Sequence, residues 1–382
     1  VNIIVNMKTT LQIKLIPDDT QRKALEDTMR VFNAACDVIA DVAFREQCAS
    51  KFVLQKLVYA HVRKQFGLSA QLTIRAIAKV VDAYKRDKSK QCVFKPTGAV
   101  VYDQRILSFK GLEAASILTL QGRLTVAMHM GDYQRLQFGR GHGQADLVRV
   151  DGVFYLLLVI ETPTAPPIDP NGFIGVDLGI VQIACDSDGE AFSGETVENT
   201  RRRDHALRQS LQACGSRSAR RHLQRIRRNE ARFRRNQNHV LSKTLVAKAK
   251  DTGRGIKLEQ LKHIRERTTV RKSDRAKHSG WSFFQLQSFI AYKAKREGVV
   301  VQYVDPRNTS RQCAACGHLD KANRKSQSRF QCVSCGHVAN ADQNAAINIA
   351  ARANVNSPRV AHDDNNGWFE CSHKPRPLGR GN

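Results

Sequence analysis

The sequence predicts a multidomain α+β protein. In front stands a β-barrel or sandwich interrupted by helices; behind it stands an α/β unit with an inserted four-cysteine ribbon. Three observations predict this. Residues 7–16 and several short runs within 93–161 have the alternation of half-buried strands. The stretch between them carries apolar residues at helical spacing. Beyond a proline-rich segment, apolar strand-like runs alternate with helical ones, and two Cys-x-x-Cys pairs lie 15 residues apart.

The elements follow in order. Leu11, Ile13 and Leu15 alternate, and Pro17 ends that strand. Residues 18–46 place Leu25, Phe32, Cys36, Ile39 and Ala43 at helical spacing, with Asp19 or Thr20 as N-cap. Two more helices are expected over 51–65 and 69–86. In the second, Leu72, Ala76, Val80 and Ala83 make the buried face. Gln71, Arg75 and Lys79, at i, i+4 and i+8, share another. Five β-rich runs come next (100–102, 117–120, 124–130, 147–150 and 153–160), separated by turns such as Gln121-Gly122 and Asp151-Gly152. The first strand completes this β unit, so the helices are an insertion in it. Thr162-Pro163-Thr164-Ala165-Pro166-Pro167 reads as a stiff linker and a domain boundary.

Charge narrows the function. The 382 residues include 62 Lys or Arg and 35 Asp or Glu, a formal net charge of +27. Such a surface suits nucleic acid, or less well an anionic membrane, and argues against an enzyme of free metabolites. The longest apolar run, 153–160, is eight residues; a membrane span needs roughly 20. Residues 1–17 mix Asn, Lys, Thr and Gln with apolar residues and do not read as a signal peptide. Val1 reads as an alternative start codon taken literally, and Met7 is the other candidate start. Residues 201–275 hold 24 Lys or Arg and six acids, a net +18, two thirds of the total. A solvated helix face usually mixes signs, so this stretch is expected to line a nucleic-acid groove.

After the linker, residues 173–180 read as a buried strand that delivers Asp177 beside Gly179. Gln182 to Asp186 continue it, and Ser187-Asp188-Gly189-Glu190 turn it. An RNase H-like sheet presents its first metal ligand this way, although Asp near Gly at a strand end is also an ordinary turn. Gly255-Ile256-Lys257-Leu258-Glu259 is a second strand, with Lys257 and Glu259 on the face opposite Ile256 and Leu258. A helix over 281–297 precedes a third strand, 299–304. Asp342 opens an Ala-rich helix, where Asp is also an ordinary N-cap. Taken together, Asp177, Glu259 and Asp342 are three carboxylates at element ends that can converge on one pocket. Hard divalent cations take such oxygen ligands, and two held about 3.5–4 Å apart can activate water against a phosphodiester. Beside the basic stretch, that set reads as a nuclease.

Ten cysteines are present, and four of them form the pairs Cys313/Cys316 and Cys332/Cys335, each followed by glycine, Gly317 and Gly336. The other six are scattered, so a reducing compartment with one metal site fits better than disulfides. Four thiolates make a closed, structural Zn²⁺ site. A variant with three Cys and one of His318 or His337 stays open. Lys321, Arg324, Lys325 and Arg329 in the insert suit a ribbon that touches nucleic acid.

Several motifs then resemble one family. They are Gly175-Val176-Asp177-Leu178-Gly179, Lys257-Leu258-Glu259-Gln260-Leu261-Lys262, Asn308-Thr309-Ser310-Arg311-Gln312-Cys313-Ala314-Ala315-Cys316-Gly317, and Ala341-Asp342-Gln343-Asn344-Ala345-Ala346-Ile347-Asn348-Ile349. Their order over roughly 173–351 resembles the TnpB proteins of bacterial insertion sequences, RNA-guided DNA endonucleases related to type V CRISPR effectors. Val101-Tyr102-Asp103-Gln104-Arg105 is similar to a feature of the family's front half. The resemblance implies a wedge-type β-barrel with a helical recognition insertion, then a RuvC-like nuclease with an inserted zinc ribbon. On that plan residues 1–17 are the first barrel strand, 18–90 the recognition insertion, 91–162 the barrel and 163–171 the linker. Residues 172–305 are the nuclease, with a basic helical region at 197–250. The ribbon covers 306–340, the last nuclease motif 341–352, and a disordered tail 353–382.

The resemblance further implies Asp177, Glu259 and Asp342 as catalytic ligands of two Mg²⁺, and one structural Zn²⁺ on Cys313, Cys316, Cys332 and Cys335. The expected partners are a guide RNA derived from the transposon end and double-stranded DNA. The wedge and insertion would read a short target-adjacent motif through Gln71, Arg75 and Lys79, since Arg and Gln suit base edges. Arg329 is expected on the scissile phosphate. A cytoplasmic, nucleoid-associated place in a prokaryote follows. Alternatives are a nuclease-inactive RNA-guided repressor, a guide-free transposase or resolvase, and a CRISPR effector of similar build.

Overall fold

The computed structural model describes residues 6–87, 89–139, 142–261 and 283–353. The described residues divide into two compact units, 6–162 and 163–353. The expected tail, 353–382, lies outside the described residues except for its first residue.

In the first unit, β1 (Asn6–Ile16) buries Leu11, Ile13 and Leu15 and exposes Gln12 and Lys14. Helices α1 (Asp19–Arg45), α2 (Lys51–Phe66) and α3 (Ala70–Tyr84) follow. Asp18 is the N-cap of α1, one residue before the expected candidates. Its carboxylate accepts from Gln21 N at 2.7 Å, and the Gln21 side chain accepts from Asp18 N, the reciprocal arrangement that satisfies two orphan donors. Phe32, Ile39, Leu54, Val58, Ile77 and Tyr84 bury the facing stripes of the three helices.

Then come β2 (Val100–Tyr102), β3 (Leu107–Lys110), β4 (Ala114–Thr119), β5 (Gly122–His129), α4 (Asp132–Phe138), β6 (His142–Val150) and β7 (Val153–Pro163). They join β1 in a barrel-like seven-stranded sheet ordered β2-β6-β7-β1-β5-β4-β3. The first strand thus lies in mid-sheet, and the three helices interrupt the sheet in sequence. Strand β3 and helix α4 were not expected: four and seven residues are too few to carry a periodic signal.

The second unit begins with the linker, which is fastened along it. Ala165 N donates to Arg296 O at 3.0 Å, Ile168 N to Gly298 O at 2.9 Å and Asn171 N to Gly253 O at 3.0 Å. Its strands and helices are β8 (Phe173–Asp177), β9 (Gln182–Asp186), β10 (Ala191–Ser193), α5 (Glu195–Cys214), α6 (Arg217–Ile226), α7 (Asn229–Asp251), β11 (Gly255–Glu259), α8 (Phe283–Glu297), β12 (Val301–Val304), β13 (Arg329–Gln331), β14 (Val338–Asn340) and α9 (Ala341–Ala351). The five-stranded sheet runs β10-β9-β8-β11-β12. Strands β10, β9 and β8 are antiparallel neighbours, whereas β8, β11 and β12 are parallel.

Strand alternation sorts the two faces of this sheet. Ile174, Val176, Ile256 and Leu258 pack with Leu241, Leu245 and Val246 of α7 and Leu286, Ile290 and Ala294 of α8. The opposite face carries Gly175 and Lys257, which are register partners. Helix α9 lies directly on it. A Cβ on Gly175 would sit 2.0 Å from Ala346 O and 2.4 Å from Ala350 N, so only glycine admits the helix backbone this close. Lys257 Nζ donates to Ala350 O at 3.0 Å and Arg352 O at 2.6 Å, a cation at the negative end of α9. The edge is tied by Lys248, which binds Asp186, Asp188 (3.2 Å) and Glu190 (3.1 Å), and by Arg254, which forks onto Asp188 at 2.6 and 2.9 Å.

The basic stretch folds largely into α5, α6 and α7, with Arg203, Arg217, Arg220, Arg221, Arg225 and Arg235 exposed. Its last part, 262–275, lies outside the described residues. Among the described residues no helix is long and apolar enough to cross a membrane.

Candidate nuclease centre and cysteine ribbon

Parallel strands β8 and β11 end side by side. Leu258 pairs with Val176, so Glu259 and Asp177 leave the sheet at adjacent positions, on the face that bears Gly175 and Lys257. Helix α9, resting on Gly175, brings Asp342 to the same place. Asn340 is the N-cap of α9, with Oδ1 accepting from Asp342 N at 2.9 Å and Gln343 N at 3.3 Å. The Asp342 carboxylate is thereby spared the capping role that Asp at a helix start usually takes.

Electrostatics record the convergence. Asp177 is pushed up to about 7, first by burial and then by the charges of Glu259 and Asp342, with Arg324 opposing. Burial also raises Glu259 and Asp342. Cys185, paired with Asp177 across the β8–β9 hairpin, is pushed up to about 11 by burial and by Asp342 and Asp177. Arg324 Nη2 lies 3.5 Å from Asp342 Oδ1. Arg329, by contrast, is exposed on β13 and its carbonyl accepts from Lys325 N and Ser326 N. The sequence expectation falls on Arg329, and the structure puts Arg324 at the carboxylates instead. No local pattern separates the two, because a turn of the ribbon decides which reaches Asp342.

Glu259 is held at both ends. Gln287 Nε2 donates to its carbonyl at 2.7 Å, and Thr309 Oγ1 lies 2.6 Å from its Oε1. Thr309 belongs to a loop gripped by α9: Asn348 Nδ2 donates to Thr309 O and Gln312 O, and Asn344 bonds Gln312 O and Ala314 N. These asparagines lie in the motif that opens with Asp342, where the sequence reading gave them no role.

The four cysteines form a cluster whose sulfurs all lie within 4.8 Å of one another. Cys313 and Cys335 are 3.8 Å apart, Cys316 and Cys332 3.6 Å. A tetrahedron with metal–sulfur bonds of about 2.3 Å has edges of about 3.8 Å, so the cluster fits Zn²⁺. The two knuckles are alike: Gly317 N and Gly336 N bond back to Cys313 O and Cys332 O, and both glycines have φ above +70°. His318 and His337 stand outside the cluster, and their carbonyls accept from Cys313 N and Cys332 N. The set is therefore four cysteines and no histidine. Asn323, fully buried, ties the ribbon through Arg311 O, His318 O and Val333 N.

Gln71, Arg75 and Lys79 share a face of α3 but are engaged within the protein. Gln71 Nε2 and Arg75 both bind Asp103 Oδ2, with Arg75 Nε at 3.0 Å, and Arg105 Nη1 reaches Gln71 Oε1 at 3.3 Å. Lys79 Nζ donates to Asn33 Oδ1 at 2.7 Å and Ala99 O at 2.6 Å, and burial lowers its pKa. Lys79 thus pins α3 to α1 and to the chain before β2.

A family model described as Cas12f1-like, TNB domain, matches residues 283–349, from α8 through the ribbon into α9. The CRISPR-associated endodeoxyribonuclease Cas12f1 of Sulfoacidibacillus thermotolerans is 35% identical over 205 residues, 49% of this chain and 47% of that protein. The putative RNA-guided DNA endonuclease InsQ of Escherichia coli (strain K12) is 30% identical over 223 residues, 52% of this chain and 54% of that protein. The chain is similar to TnpB and Cas12f proteins. It spans about half the length of the curated relatives it matches. A cryo-EM structure of a Cas12f1–sgRNA–target DNA complex matches with a TM-score of 0.60 at 14% identity, covering 90% of this chain and 99% of that one, a likeness of fold.

Proposed function

We propose that this chain is an RNA-guided DNA endonuclease that depends on divalent cations, Mg²⁺ being the expected ion, and cuts with one RuvC-like site. The observation that carries this reading is the meeting of Asp177, Glu259 and Asp342 at two parallel strand ends and a helix start. Their mutual repulsion helps raise Asp177 to about 7, a cost that bound cations would offset. Three antiparallel strands continued by two parallel ones support the RNase H-like assignment. The half-length likeness to proteins named CRISPR-associated endodeoxyribonuclease and RNA-guided DNA endonuclease supports the guided activity.

The donor set fits the ions, since Asp177, Glu259 and Asp342 offer hard carboxylate oxygens. Two bound cations would supply an activated water and neutralise the leaving oxygen of a phosphodiester. Asp177, Asp342 and Glu259 would hold those cations. Arg324 offers its guanidinium to a phosphate oxygen, a charge-assisted contact. The four-cysteine cluster holds one structural Zn²⁺. Exposed guanidinia on α5, α6 and α7 contact the backbone of a guide RNA from the transposon end, and base pairing selects the double-stranded DNA target. The first unit corresponds to a wedge-type barrel with a recognition insertion that reads a short adjacent motif. Gln71 and Arg75 reach base edges there once released from Asp103.

The test is cleavage of a target plasmid by the protein with its copurifying RNA and Mg²⁺. Asp177→Ala is expected to keep RNA and target binding and to lose cleavage. Cutting at the unmodified rate by that variant would sink the carboxylate assignment, and cutting without RNA would sink the guided one.

A further inference from the structure

The loop after β12 does more than lead into the ribbon. Thr309 is 3% exposed, and its hydroxyl has two neighbours, Glu259 Oε1 at 2.6 Å and Pro306 O at 3.1 Å. One hydroxyl proton serves one acceptor at a time, and the shorter contact has the length of a charge-assisted bond to a carboxylate. Asn308, in the left-handed region at φ 63°, turns the chain there, and its carbonyl takes Arg311 N and Gln312 N, both at 3.0 Å. Asn348 then grips Thr309 O at 2.9 Å and Gln312 O at 2.7 Å. The hydroxyl that touches Glu259 is therefore fixed to the helix that carries Asp342.

We infer that Thr309 is a positioning residue for the metal centre: its hydroxyl donates to Glu259 Oε1 and so fixes the orientation in which the Glu259 carboxylate would meet a cation. Two carboxylates on separate elements, β11 and α9, are thereby set in one frame by a side chain that touches neither substrate nor metal. This inference rests on the reading of Glu259 as a metal ligand.

The test is Mn²⁺ binding to the full zinc-loaded chain by titration calorimetry, alongside Mn²⁺ dependence of guided cleavage. Thr309→Val keeps the shape and removes the hydroxyl. It is expected to weaken Mn²⁺ about 10- to 100-fold, the usual cost of losing a partner of a metal ligand. Thr309→Ser restores the hydroxyl and is expected to return the affinity to within about threefold of the unmodified protein by the same reasoning. An unchanged Mn²⁺ affinity in Thr309→Val, with Glu259→Gln weakened, overturns the inference and leaves the nuclease reading standing. Thr309→Ser as weak as Thr309→Val, at unchanged melting temperature, also overturns it, because the hydroxyl would not be the cause. Glu259→Gln with full Mn²⁺ affinity overturns the reading of Glu259 and the inference together.

Discussion

Arg324 and Arg329 carry the same charge five residues apart, yet only Arg324 meets Asp342. Arg324→Ala is expected to slow cleavage about 10²- to 10³-fold, the scale of losing one preorganised donor at a reacting oxyanion. RNA affinity should hold. Arg329→Ala should leave the rate nearly unchanged, and parallel single-turnover assays of the two variants check both statements. Asp342 teaches a related lesson about its immediate neighbours. Its sequence context equally suits an N-cap, and the nearby Asn340 takes that role instead. Away from the centre, Arg254 and Lys248 hold the Asp188 carboxyl down at about 2, from an ordinary 3.8. A depressed carboxylate stabilises the fold above its unfolded pKa, and the contribution is lost as pH falls through the folded one. Melting temperature is therefore expected to fall between about pH 4 and pH 2, and less so in Asp188→Asn.

Helix α9 is the element on which the centre depends. Gly175 lets it touch β8, Lys257 closes its carbonyl end, and Asn344 and Asn348 tie it to the loop before the ribbon. Gly175→Ala drives a methyl into backbone atoms that cannot swing away. Overpacking of this kind costs about 1–3 kcal/mol or more. The expected result is a lower denaturant midpoint and lost cleavage, even though alanine alters no charged group. Elements of this length were readable wherever period and length agreed. Strands β1, β7, β9 and β11 and the three long helices of the first unit lie close to their expected places. Strand β8 stops at Asp177 because the chain must turn there to present the carboxylate. Contacts such as Thr309 with Glu259 join residues 50 apart and leave no trace in a local pattern.

Across the whole chain, charge is the dominant property. Two thirds of the net +27 falls within 201–275, and many of the guanidinia described there are exposed on α5, α6 and α7. If about six of them neutralise RNA phosphates, log affinity should fall with log salt with a slope of about −4. Filter binding of the copurifying RNA from low to high salt measures this, and a slope near zero would separate the charge from RNA. Composition, periodicity and motif spacing sufficed for the α+β class, the interrupted front sheet and the grouping of the four cysteines, and they pointed to the three carboxylates and to a nucleic-acid partner. These rest on patterns a few residues long or on sums over the chain. Which arginine reaches Asp342, why Lys79 is pinned to Asn33 and Ala99, and how Thr309 and Asn348 frame Glu259 are long-range matters. They depend on packing at ångström precision between elements far apart in sequence, and packing of that kind has no one-dimensional signature.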